Sequence, residues 1–297
     1  MRSTVAAAVC AAWLTSLLTA QAEKATISVT PKPLQPVHYV TTQEISVDIA
    51  SEGVAAATAP APAPPMKLVG KTVIGYTLET IAKDETAQVT AKLTSDHASG
   101  EMSLNGMSFP TDAMSQVAGK TYTMVFGADG SVIDVTAPGE PEPTVAVIKA
   151  MLGQISTFAP TASLAIGESI RRPLTLALPF PIPGVEPVSI DGQVTMTLVS
   201  LEGAGADRVA NCKQSYDATT REAPGAAVPA AAAGANRMSL TMRGIGTMQI
   251  NLTSGVITAS QMHTTMEGAF APGGGTGAAA PVVKLRGVMD LTVAGKR

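Results

Sequence analysis

The chain has 297 residues, of which 45% are hydrophobic and only 3% aromatic, and its formal charge is −3. That charge offers nothing to attract nucleic acid, and no stretch beyond the N-terminus supplies the ~20 unbroken apolar residues that a spanning helix needs. Of two cysteines, one lies in the leader described next, so no intramolecular disulfide is left and a hydrophobic core must hold the fold.

The chain begins with Arg2, an apolar run over 5–18, and Ala20-Gln21-Ala22 before Glu23. One basic residue, a core too short to cross a bilayer and an A-x-A end make residues 1–22 a secretory signal peptide. Cys10 sits inside the apolar run behind Ala7-Ala8-Val9, which is the wrong place and flank for a lipidated first residue. The expectation is a soluble extracytoplasmic protein, periplasmic or secreted, starting near Glu23, with no transmembrane segment after cleavage.

Strand patterns follow. Ile45, Val47 and Ile49 alternate with Ser46 and Asp48, and Val89, Ala91 and Leu93 with Thr90, Lys92 and Thr94. Next comes the helical stretch: after the acidic, proline-bearing start at 140–144, Val145, Ile148, Met151, Leu152, Ile155 and Phe158 recur at three- and four-residue steps until Pro160. This spacing predicts a covering helix over about 141–159. Alternation resumes with Ile190, Val194, Met196 and Leu198, with Met248, Ile250 and Leu252, and with Val283, Leu285, Met289, Leu291 and Val293, each set opposing polar neighbours. Period two with one polar face means antiparallel sheet, wetted on one side and covered on the other. Three Ala/Pro/Gly tracts, 55–65, 223–235 and 271–281, lack any period and read as loops. The predicted class is α+β, predominantly antiparallel β, with long amphipathic strands and one covering helix. Its parts are a first β-rich half over 24–165, a Pro-rich connection over 166–185 and a second β-rich half over 186–297.

The halves share a pattern. Gly119 to Gly130 and Gly244 to Gly255 each frame a strand and a turn, at Asp129-Gly130 and Ser254-Gly255, before a second strand. Asp-Gly is a favoured two-residue hairpin turn. Met-Ser-Leu lies upstream of both, at Met102 and Met238. This order, with Met66-Lys67-Leu68-Val69-Gly70, the strand pair over 74–93 and the closing Gly-x-Gly-x-Met-x-Ile, resembles exported bacterial β-rich proteins of a family of unknown function. The resemblance carries no catalytic residues. At the level of fold, long antiparallel strands with a helix across them also look like periplasmic lipoprotein-carrier folds, and that likeness implies a curved sheet holding acyl chains.

Candidate chemistry is sparse. His38, His97 and His263 stand in unrelated contexts. In Met262-His263-Thr264-Thr265-Met266 the methionines face one side of a strand and the histidine the other, so they do not share an ion. Asp129-Gly130-Ser131 with Asp134 has part of a calcium loop but lacks its remaining ligands, and a turn is the better reading. Cys212 has Lys213 beside it and no histidine near in sequence. No nucleophile elbow, zinc-protease motif or phosphate loop occurs. Catalytic, cofactor-binding and metal residues are therefore all expected to be none, with no cofactor and no enzyme activity. Methionines from Met102 to Met289 lie in the strand regions, where they fill a core or line an adaptable apolar surface. The expected function is non-catalytic binding of an apolar small molecule or lipid on a curved sheet, the alternative being a structural or assembly component acting through an envelope protein partner.

Overall fold

The computed structural model describes residues 23–30, 32, 36–52, 64–83, 88–110, 118–139, 145, 149, 157–159, 161–178, 188–220, 237–271 and 282–296. Residues 1–22, most of the three Ala/Pro/Gly tracts and most of the expected helix lie outside them.

The strands are β1 (Lys24–Ile27), β2 (Val37–Glu52), β3 (Met66–Lys83), β4 (Val89–Leu104), β5 (Met107–Pro110), β6 (Thr121–Phe126), β7 (Val132–Thr136), β8 (Ala162–Ala165), β9 (Ser169–Leu178), β10 (Val188–Glu202), β11 (Val209–Thr220), β12 (Arg237–Asn251), β13 (Val256–Ala271) and β14 (Val282–Lys296). All but two join a 12-stranded antiparallel sheet in the order β7-β6-β4-β3-β2-β14-β13-β12-β11-β10-β9, with β5 beside β4. The two meanders meet where β14 pairs with β2, from Val282 opposite Glu52 to Lys296 opposite His38. β1 and β8 form a separate ribbon.

The antiparallel β expectation is borne out, and the amphipathic alternation places one apolar row on the same face of strand after strand. The covering helix falls mostly outside the described residues. Val145, Lys149, Thr157 and Phe158 are helical, but no helix of seven or more residues is found among the described residues, and the rest of 141–159 lies outside them. Part of the cover comes instead from the β1–β8 ribbon: Ala25, Ile27 and Leu164 pack with Met196, Leu198, Ala210, Cys212, Met248 and Ile250. Residues 166–185, read as a connection, include β9. Pro173 is accommodated there because β9 is an edge strand, the kind of strand that admits proline.

The sheet is strongly curled. β6 and β13 are five strand positions apart, about 24 Å if flat. Yet a Cβ built on Gly130, in the turn after β6, would lie 3.2 Å from Thr30 Oγ1, and one on Gly255, in the turn before β13, 2.7 Å from the Thr30 carbonyl oxygen. Lys32 spans a similar gap: its ammonium donates to the Leu252 carbonyl at 3.0 Å, while its own carbonyl accepts from the Thr80 hydroxyl at 3.1 Å. Only a sheet rolled toward a barrel brings these turns to one segment, and the concave side is the one on which residues 25–30 lie. Glycine placement agrees: Gly70, Gly100, Gly192, Gly244, Gly246, Gly268, Gly287 and Gly295 share that side by register. Leaving out side chains on the inner surface lets the strands coil without crowding.

One turn differs from its sequence reading, and one was not read there at all. Asp129-Gly130 is not a two-residue hairpin, since Phe126 pairs with Val132 and the loop spans five positions, with Gly130 at φ 83°. The two-residue turn is Asn105-Gly106, at φ 51° and 80°, between β4 and β5. These positive values are what an Asn-Gly hairpin supplies.

Candidate functional site

The concave face is a continuous apolar surface across the described strands, and its cover is graded. Over β10, β11 and β12 it is closed: Ile190, Val194, Tyr216, Ala218, Leu240 and Met242 are buried in one cluster, with Phe158 against them. Near the end where residues 28–30 sit, Val89, Ala91, Tyr122, Met124 and Phe126 close it on the other flank. Between these flanks, Met262, Met266, Met289, Leu291, Ile45, Val47, Ile49 and Leu68 are only partly buried. The opposite end of β3, β4 and β5 is more open still, with Met66 at 37%, Met102 at 39%, Met107 at 64% and Phe109 at 47% exposure.

Polar groups interrupt this face, among them Gln43, Thr72, Gln214 and Thr264. Tyr216 Oη and Thr264 Oγ1 share a hydrogen bond of 2.8 Å, and burial pushes the Tyr216 phenol pKa up while that bond opposes the shift. The Gln214 amide donates to the Phe158 carbonyl, and Gln43 Nε2 lies 2.9 Å from Met289 Sδ. Ser95 Oγ is buried without a hydrogen-bond partner among the described residues.

The outer face is a polar ladder. Arg243 pairs with Asp217 at 2.9 Å, Arg286 with Glu267 at 2.9 Å and Lys71 with Glu44 at 2.7 Å. An open depression of ≈ 880 Å³ lies on it, lined by Thr195, Thr197, Lys213, Ser215 and Thr247 around His263 and Asp290. Exposed pairs of this kind contribute little to stability, so their role is to keep this face in water.

The histidines are not brought together. His263 bonds Asp290 at 2.7 Å, His38 bonds Thr77 at 2.8 Å, and His97 lies over Gly75. Among the described residues no three His, Cys, Asp or Glu side chains group as metal ligands. Met262 and His263 do fall on opposite faces, as the alternation required. The Asp290 partner was invisible in the sequence because it depends on the β13–β14 register. Asp129 accepts from the hydroxyl and the N–H of Ser131, which holds its carboxyl below the usual range, with Arg172 adding to the effect. Asp134 pairs with Lys149 instead of joining it.

Cys212 is buried against Met248 and Leu198, and burial alone raises its pKa to about 11. A thiol this protonated is a poor nucleophile. Ellman's reagent at pH 8 is expected to leave Cys212 unlabelled in the folded protein and to label it after denaturation. The sign of the linkage follows: an exposed thiol ionises near 9 and the folded one near 11, so this group lowers stability as pH rises between them. Labelling of the native state at the denatured rate would contradict the burial.

No family model matches the chain, and no curated protein matches it.

Proposed function

We propose that this is an exported, non-catalytic binding protein that holds an apolar, lipid-like ligand against the concave face of its sheet. The observation that carries this reading is the graded cover of that face: closed over β10–β12, partly open across β13, β14, β2 and β3. A chain folded only for stability gains by covering such a surface. Flexible, polarisable Met262, Met266 and Met289 suit a variable apolar guest better than a shaped one. Native mass spectrometry, with organic extraction, of the protein purified from its own envelope fraction is expected to show a co-purifying apolar mass. A bare chain from that source would overturn the reading.

A second reading, an envelope assembly component acting through protein contacts, draws on the sheet edges. The sheet path ends at β7 and β9, which run in the same direction because every step between them is antiparallel. One partner strand antiparallel to both would continue the pattern across the gap. Sedimentation showing a monomer at high concentration would count against self-assembly by this route.

A further inference from the structure

The open end of the concave face finishes in a lip. Met102 stands opposite Gly70 on one side and Phe109 on the other, and Leu104 stands between Leu68 and Met107. Met66 continues the row opposite Ile49. The Asn105-Gly106 turn fixes β5 against β4, so the exposed Met107 and Phe109 are presented by a tight hairpin. The row runs without a break from this lip into the partly open face over β2 and β14.

We propose that this lip is a bilayer-contact surface, the place where the protein meets a zwitterionic lipid surface to exchange the apolar ligand; it rests on the binding role proposed above. Three observations select a lipid surface over other occupants. The exposed side chains amount to roughly a few hundred Å² of apolar surface, well below the about 800 Å² per partner of a stable interface, so a second copy is too large an occupant. β5 has four residues and ends at Pro110, a short, proline-ended edge that resists addition of a partner strand. The outer-face charges beside it, Asp48, Lys67, Lys71 and Glu101, are mixed in sign, so no basic surface selects anionic lipid. Methionine and phenylalanine on a rigid turn can insert at the headgroup boundary with little loss of conformational freedom in the backbone.

The test uses the composition of the chain. Its single tryptophan is Trp13, so with Trp13→Phe a Phe109→Trp substitution is the sole tryptophan whether or not residues 1–22 have been removed. Adding phosphatidylcholine vesicles is expected to blue-shift its emission, and brominated acyl chains should quench it. The double variant Met107→Glu with Phe109→Glu, both at exposed positions, should lower the fraction floating with vesicles at least tenfold while leaving the far-ultraviolet circular dichroism unchanged. Unchanged emission, or flotation retained by the double variant, overturns the proposal. A blue shift that needs no vesicles and grows with protein concentration also overturns it, in favour of a second copy. An apolar mass retained by a protein that ignores vesicles would remove the lip alone. Vesicle binding by a protein from the envelope that carries no such mass would remove ligand exchange.

Discussion

Gly244→Ala is expected to destabilise the protein by about 3–4 kcal/mol, although it adds a single methyl group. Gly244 stands directly opposite Tyr216 on the concave face, and a Cβ there would fall within the Tyr216 ring. The ring cannot swing aside freely. Its hydroxyl bonds the fully buried Thr264 at 2.8 Å, and it forms a T-shaped pair with the Phe158 ring, centroids 5.5 Å apart at 75°. Displacing it overpacks the core, leaves Thr264 unpaired in an apolar setting and breaks the aromatic pair, and these costs fall together. Denaturant unfolding of Gly244→Ala, Tyr216→Ala and the double variant separates the causes. If the glycine exists to seat the ring, then alanine at 244 should cost little once Tyr216 is gone, giving a coupling energy of about 2 kcal/mol or more. Additive losses would mean that Gly244 is needed for strand curvature alone.

The sequence revealed the strands and their faces because each amphipathic strand declares its inner side locally. Ile45, Val47 and Ile49 on β2 and Met248 and Ile250 on β12 needed no knowledge of their partners to be assigned to the covered face. What it did not reveal was set by distant contacts. The pairing of β14 with β2 joins residues more than two hundred positions apart, and the curl depends on Gly130 and Gly255 meeting the same threonine. The His263–Asp290 pair arises from strand register, which no spacing within β13 encodes. Asn105-Gly106 was legible, a favoured hairpin dipeptide between Met102-Ser103-Leu104 and Met107-Ser108-Phe109. β9 was hidden by Pro173, which demotes a strand from the interior but not from an edge.

Ile27→Ala is expected to cost about 3–4 kcal/mol, as a large buried side chain lost from a packed core, and its effect should extend to the curl of the sheet. Ile27 is 0% exposed and sits on β1 opposite Ala162, within the cluster formed by Leu198, Ile250 and Leu164. The residues that follow it, Ser28 to Thr30, are those that meet both distant turns, with Ser28 Oγ also accepting from Thr161 Oγ1 at 3.3 Å. Anchoring β1 therefore anchors the segment that holds the two ends of the sheet near each other. Weakening that anchor should lower the unfolding midpoint and raise the exchange rates of the Gly127 and Gly130 amides and of the Gly255 amide, which bond the carbonyls of Ser131, Gly127 and Asn251 within their own turns. Ile245→Ala is the matched comparison: the same truncation on the outer face, at a side chain 66% exposed, should fall within about 0.5 kcal/mol of the unaltered protein. Equal losses at the two positions would mean that both faces of the sheet are covered in solution. A loss below about 1 kcal/mol at Ile27 would mean that the ribbon lies on the sheet without being packed into it, and the curl would then have to come from the strands and their glycines alone.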